Sequence, residues 1–254
     1  TTLVGATLAA SATFAEENIH HRDLEEIVVT AAFEKKLAET ALPVTVLTGE
    51  DLAEKKGNAL GETLKDEIGI ANASFGTGIG HPVIRGQSGN RVSVLQNSVG
   101  VTDASNQSPD HAEGLEAILA DRIEVIRGPA TLLYGNGAIG GVVNVIDGKI
   151  AETLPERTSF QFEQSYNENN SENKSVFRLD TRIGDFGVHL DAYTRDGDDV
   201  EIDGLAIDEA GLESQEALLG HLGDDEHEEE LANTNGYIAN SDTKADGSSF
   251  GLSY

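Results

Sequence analysis

Hydrophobic and polar positions follow two different patterns along the chain. From Lys35 to about Ile150 the pattern is mixed. Pro43-Val-Thr-Val-Leu47 reads as a strand. Thr48 to Leu52 reads as a helix start, with Thr48 as N-cap and Asp51 three residues on. Leu60, Leu64 and Ile68 recur at helical spacing. Val83 to Gly86, Val92 to Leu95, Ile123 to Ile126 and Val142 to Ile146 read as strands separated by glycine-rich turns. These elements predict an α+β domain over residues 35–150. From residue 157 the period becomes two. Phe160 and Phe162 oppose Gln161 and Glu163. Phe177, Leu179 and Ile183 oppose Arg178, Asp180 and Arg182. Phe186, Val188, Leu190 and Ala192 oppose His189, Asp191, Tyr193 and Arg195. Gly184-Asp185 is short enough for a tight hairpin. Strands of about ten residues, apolar on one face and charged on the other, fit a transmembrane barrel with a wet lumen. Alternation alone does not separate this from a soluble sandwich, whose inner face is equally apolar.

Charge sharpens the division. The formal net charge of the 254-residue chain is −28. Residues 196–247 hold 17 Asp and Glu against one Lys, a net of −16. Such a surface repels nucleic acid, whose recognition needs clustered Lys and Arg, and attracts cations. The absence of cysteine removes disulfides and thiolate metal sites. At the N-terminus, residues 1–15 are small and apolar and end in Thr13-Phe14-Ala15, which reads as the back of a secretory signal peptide. A polar arm follows, with His20 and His21, and carries the short β-prone run Glu26, Ile27, Val28, Val29, Thr30, Ala31. No nucleophile–base pair or oxyanion motif is visible, so an enzyme is not expected.

Gly135, Gly137 and Gly140 spell G-x-G-x-x-G. A dinucleotide site needs a strand before that turn and a helix after it, so that the helix N-terminus holds the pyrophosphate. Here the β-run Gly141 to Ile146 follows. The glycines are therefore expected to serve tight turning and close backbone approach.

Arg122-Ile-Glu-Val-Ile-Arg-Gly-Pro-Ala-Thr-Leu-Leu-Tyr-Gly-Asn-Gly-Ala-Ile-Gly-Gly-Val-Val-Asn-Val-Ile146 resembles the end of the plug domain of TonB-dependent outer-membrane receptors. Other stretches resemble that family in the same order: residues 26–31 its TonB box, Pro43 to Leu52 the opening strand and helix of the plug, Val83 to Gly86 and Val94 to Val101 its middle strands. Gln96-Asn97 departs from the Asp-Gly turn common there, a local change. The resemblance implies a plug inside a 22-stranded barrel, so residues 157–254 are the first barrel strands and 196–247 an extracellular acidic loop. The chain then reads as an N-terminal fragment of a receptor in the outer membrane of a Gram-negative type cell. It also implies a partner, TonB with its inner-membrane energising complex, pairing with Glu26 to Ala31 by strand addition. Arg85, Glu124 and Arg127, as charges in plug strands, are expected to pair with one another or with barrel carboxylates.

Ser108-Pro-Asp-His111 resembles the plug loop of the zinc-uptake subgroup, which implies Asp110 and His111 as part of a metal site and zinc, free or chelated, as the transported ligand. Imidazole nitrogen and carboxylate oxygen suit zinc, although two residues supply only part of a site of about four ligands. His221, Asp224, Asp225, Glu226, His227 and Glu228 form a candidate cation-capture stretch. The alternatives are a ferric siderophore or haem receptor, and a cation-binding surface protein without transport. His189 is expected on the lumen face as a wall residue.

Overall fold

The computed structural model describes residues 28–29, 35–36, 43–102, 104–135, 137–208, 211, 213–214 and 233–254. Two short strands, β1 (Val28–Val29) and β2 (Lys35–Lys36), pair antiparallel ahead of the first domain. Five strands then form one sheet in the order β3 (Val44–Thr48), β8 (Arg122–Ile126), β9 (Gly141–Ile146), β6 (Val92–Gln96), β7 (Val99–Gly100). Only the β6–β9 pairing is parallel. The central strands β8 and β9 are buried along nearly their whole length, including the polar side chains Glu124 and Asn144. Ile123, Val125, Val143 and Val145 are fully enclosed and pack with Leu47, Leu52, Leu64 and Ile84. Each such side chain contributes roughly 1.5–3 kcal/mol.

Helix α1 (Gly49–Lys55) buries Leu52, and α2 (Leu60–Leu64) buries Leu60 and Leu64. Thr48 occupies the N-cap position, but its hydroxyl donates to the Asp121 carbonyl instead of capping the helix. The helical spacing of Leu60, Leu64 and Ile68 does not carry through: α2 ends at Leu64 and Ile68 is exposed. The chain turns at Gly69 (φ +77°), which needs a glycine, and enters the hairpin β4 (Ile70–Ser74) and β5 (Gly80–Ile84). The two-residue connection between β6 and β7 has positive φ at both Asn97 and Ser98, as a type I′ turn requires. The turn thus falls at Asn97-Ser98, one residue beyond the Gln96-Asn97 pair compared with Asp-Gly, and Gln96 belongs to β6.

Gly140 and Gly141 meet the packing expectation. A Cβ on Gly140 would lie 2.7 Å from the Gln87 Cβ and 3.1 Å from the Ile84 carbonyl. Its own N–H donates to the Arg91 carbonyl at 2.7 Å, so the turn is stitched to the start of β6. No helix follows these glycines; β9 does.

The second part is a four-stranded antiparallel sheet, β10 (Ser159–Asn167), β11 (Glu172–Ile183), β12 (Phe186–Gly197) and β15 (Thr243–Ser253), in that order. Between β12 and β15 the chain makes an excursion with its own hairpin, β13 (Val200–Leu205) and β14 (Asn235–Ile238). The 196–247 segment, expected as one loop, thus surrenders both ends to strands. Cross-strand register puts Phe160, Leu179, Leu190 and Phe250 in one row, with Thr181, Val188 and Leu252 in the next row of that face. The opposite face carries Arg178, Asp191 and Ser249 in one row and Asp180, His189 and Gly251 in another. Exposure is inverted relative to a soluble sheet: Phe160 and Phe250 are 66% and 65% exposed, while His189 and Asp191 are 3% and 4%. The charged face is covered by the α+β domain.

Candidate functional site

Three groups of residues on the α+β domain bear on function: the 108–113 loop, the polar seam against the sheet, and the N-terminal strand. The loop is held from beneath by His81 of β5. Its Nε2 donates to the Pro109 carbonyl at 2.9 Å, and its Nδ1 lies 3.2 Å from a Glu113 carboxylate oxygen. Both partners are acceptors, so a doubly protonated ring satisfies both. The Glu113 hydrogen bond accordingly raises the His81 pKa, against the opposing effect of burial. Above this support, Asp110 and His111 are exposed and hydrogen-bonded to each other at 3.0 Å. The Ser108 hydroxyl also donates to Asp110. These two bonds, Ser108 first, hold the Asp110 carboxyl below its usual range. Among the described residues, no group of three or more His, Asp or Glu side chains is placed to hold a metal ion. The loop thus brings Asp110 and His111 together as a pair. His221, Asp224, Asp225, Glu226, His227 and Glu228 lie outside the described residues, as do Glu26, Ile27, Thr30 and Ala31.

The seam is polar. The Asn58 amide donates to both carboxylate oxygens of Glu172 at 2.9 and 2.8 Å. Arg195 donates to the Asn58 carbonyl at 2.9 Å and lies 3.7 Å from Glu116. Burial raises the pKa of Glu116, with Arg195 and Tyr193 opposing. Further along, Arg178 pairs with Asp121 through two guanidinium nitrogens and with Asp180 at 2.8 Å. Thr77 donates to the Ser241 carbonyl at 3.2 Å. The apolar component is small: Ile118 and Leu119 against Val176 and Tyr193. None of Asn58, Glu172, Asp121 or Arg178 was marked by the sequence as a contact. Alternation puts Glu172 and Arg178 on the polar face, but nothing local names their partners.

The expected set of locking charges is rearranged. Glu124 is fully buried, but its ion-pair partner is Arg122 at 3.0 Å, and Asn144 opposite it in register donates at 3.2 Å. Arg127 does not reach Glu124: it donates to the Ile68 carbonyl at 2.5 Å and to the Thr45 hydroxyl. Side chains alternate along a strand, and the chain turns after Ile126, so position 127 leaves the Glu124 face. Arg85 is exposed at a turn with φ +53° and forms no ion pair among the described residues. It stands just beyond the end of β5 and not within a plug strand. His189 faces the covered side, with each ring nitrogen 2.7 Å from a carboxylate oxygen, Asp180 on one side and Asp191 on the other.

Known proteins place this geometry. Residues 36–142 match the family model described as TonB-dependent Receptor Plug Domain. A stretch of 127 residues, 48% of this chain, is 37% identical to the vitamin B12 transporter BtuB of Vibrio vulnificus and covers 20% of that protein. BtuB of Vibrio cholerae is 34% identical over 125 residues, again 48% of this chain and 20% of the relative. The chain thus spans about a fifth of the length of these curated relatives. Among solved structures, the open form of the ferric-catecholate import receptor Fiu from E. coli K12 superposes with TM-score 0.53 at 19% identity, over 67% of this chain and 24% of that one. FpvAI, in its complex with pyocin S2, gives 0.52 at 17% identity, over 65% and 21%. At these identities the likeness is one of fold. The chain carries a plug domain of the TonB-dependent receptor type, continued by the first strands of an antiparallel β-barrel.

Proposed function

We propose that this chain forms the plug and opening wall of an energy-coupled outer-membrane receptor that imports a metal chelate. The observation that carries the reading is the seam: a folded plug lies against the charged face of a sheet whose apolar face is exposed. The named relatives import vitamin B12 and ferric catecholates, which favours a bulky chelate of corrinoid or siderophore class. In this reading the 184–185 hairpin faces the periplasm, and the excursion between β12 and β15 faces outward. The 108–113 loop lies toward the outward end, since Ala112 and Glu113 share a small cavity with Gly78 and Arg195. It is therefore placed to meet an incoming substrate. Zinc is the second reading, favoured by the exposed Asp110–His111 pair on that loop. TonB would add a strand to the segment around Val28–Val29, whose described pairing is only the two-residue ladder with Lys35–Lys36.

The test is accumulation of radiolabelled cyanocobalamin, ferric catecholate and zinc by cells making the full-length protein, with and without residues 26–31. Energised uptake of one substrate, abolished by the deletion while surface binding remains, is expected. Uptake that survives the deletion removes the coupling claim. Uptake of zinc alone, lost in Asp110→Ala/His111→Ala, selects the second reading.

A further inference from the structure

Plug and wall meet through backbone as well as side chains, along the segment that leaves the plug. Residues 147–155 run from the end of β9 over the covered face of β12 and β15. At the first contact, a Cβ on Gly251 would overlap the Lys149 carbonyl oxygen. At the second, a Cβ on Gly187 would lie 3.3 Å from both Leu154 Cδ2 and Pro155 Cδ. Gly251 pairs with His189 and Gly187 with Ser253, so the two positions stand in successive rows of one face. Both glycines are buried, and neither has the positive φ that would reserve its position for glycine. Their missing side chains therefore serve the space that the crossing segment fills. That segment is also fixed at its plug end. Asp147 accepts from Gln96 Nε2 at 2.7 Å, Asn97 Nδ2 at 2.8 Å and the Lys149 N–H at 3.2 Å. Gly148 turns with φ +64° beside the Asp121–Arg178 pair, where a Cβ would come within 2.9 Å of Arg178 Nη2.

We infer that residues 147–155 are a keyed strap, seated in two glycine notches of the inner wall, which keeps the exit of the plug on β12 and β15 while the pulled edge opens. The inference rests on the receptor reading, in which a pull arrives through the N-terminal arm. Other ties across the seam join side chains, Asn58 to Glu172 and Arg195 to Glu116 among them, and each exchanges singly for water. The strap is held by shape instead. Each notch is bounded by the cross-strand partner of its glycine, His189 beside Gly251 and Ser253 beside Gly187. His189 is itself fixed through both ring nitrogens by Asp180 and Asp191. Load on the strap spreads through Asp147 into the β6–β7 turn at Gln96 and Asn97. The strap also comes last in the plug, after β3, β8 and β9, so a pull from the N-terminus reaches it last. It is the pivot, and the opening lies on the β3 side. Filling a notch removes no hydrogen bond, so a substitution there tests the shape alone.

The test is single-molecule pulling of the full-length protein in lipid membranes, gripped by its N-terminal arm. Release of residues 29–148 lengthens the chain by about 400 Å at ~3.4 Å per residue. A force peak is expected at that extension. It should stand about 35 Å ahead of the first barrel peak, since roughly ten residues separate Lys149 from the start of β10. Gly251→Ala should at least halve the frequency of the peak. Gly187→Ala, whose collision is milder, should lower its force, and it decides the matter if Gly251→Ala gives no folded barrel. Phe250→Leu, on the opposite face of β15, should leave the peak unchanged. The inference is overturned if the parent shows no peak there, or if the folded notch variant matches the parent. It is overturned equally if Phe250→Leu also removes the peak, which then belongs to the barrel strand. None of these outcomes depends on energised uptake, whose failure alone would count against the receptor reading and leave the strap standing.

Discussion

Placing a cation on the outward face of the sheet is the sharpest test of where this sheet lives. Phe250 stands in the row with Phe160, Leu179 and Leu190. Tyr166, opposite Asn173, marks one end of the apolar face, and Ile183, Phe186 and Tyr254 mark the other. The strand from Asn173 to Ile183 is about 33 Å long at ~3.3 Å per residue, and tilting it by about 40° gives a band roughly 25 Å tall, the height of a bilayer-facing belt. The Phe250 row is near the middle of that band. Phe250→Arg should therefore cost about 2–4 kcal/mol in a lipid-embedded barrel. On a water-facing sheet the same exposed site would tolerate Arg within about 0.5 kcal/mol. The two readings differ by a factor of about 30 to 1,000 in the folding equilibrium. The assay is denaturant unfolding of the full-length protein in phosphatidylcholine vesicles, followed by loss of the heat-resistant folded band on gels. Thr194→Arg is the internal control. Thr194 shares the outward face but pairs with Asp246 near the excursion end, where the cost should fall to about 0–1 kcal/mol. Equal midpoints for Phe250→Arg and Thr194→Arg, both near the parent, would refute the membrane placement.

Within the plug, Asn58→Ala removes both donors to the buried Glu172 carboxylate. Hydrogen bonds to charged groups contribute about 1.5–3 kcal/mol, so amide exchange in α2 should accelerate about 10- to 150-fold while β8 and β9 stay protected; acceleration across both regions alike would show that the tie is not local. Gly140→Ala drives a Cβ to 2.7 Å from the Gln87 Cβ and should destabilise the plug sheet by about 1–3 kcal/mol, read as faster exchange at β6 and β9; unchanged exchange there would remove the close-approach role. His81 has a raised pKa, so the stability it lends the 108–113 loop is fully present below its unfolded value of about 6.5 and is lost as pH rises through the higher folded value. After correction for intrinsic exchange, loop amides should be better protected at pH about 6 than at pH about 9, and His81→Gln should flatten that difference.

The two-residue period from residue 157 was legible because a strand exposed to two different solvents must alternate, and the observed register follows it row by row. The plug strands were also legible, since short runs rich in Val and Ile are set off by glycine turns, even where a buried Glu124 or Asn144 interrupts them. The end of α2 was not: Leu64 and Ile68 are helically spaced, but tertiary demand for the turn at Gly69 cut the helix short. Pairing of isolated charges was the least readable feature. Arg122 and Glu124 share one face of β8, but Asn144 meets Glu124 because β8 lies next to β9, and strand order is a long-range property that no local pattern encodes. The same holds for the loop support: His81 and Pro109 are brought together by the hairpin's position, and Ser108-Pro-Asp-His111 contains no hint of it.

The composition of the seam bears on how a plug can both seal and move. An apolar seam would resist water, but separating it would cost about 25 cal/mol for every Å² exposed, with nothing returned. Here the apolar part is confined to Ile118, Leu119, Val176 and Tyr193. The remaining ties are hydrogen bonds and ion pairs: Asn58 to Glu172, Arg195 to Glu116, Arg178 to Asp121. Such contacts exchange protein partners for water at a net cost of about 0.5–1.5 kcal/mol for neutral bonds and about 1.5–3 kcal/mol for charged ones. They also break one at a time. Strand β3 is an edge of the plug sheet and, among the described residues, pairs only with β8. In the proposed receptor, a pull delivered through the N-terminal arm would meet the β3–β8 ladder first, while Asp121 and Arg178 hold the start of β8 to the wall. Under the proposed function, the plug would yield from that edge before the whole body is drawn out. A seam of re-solvating polar ties would let a part displaced in that way reseat when the pull ends.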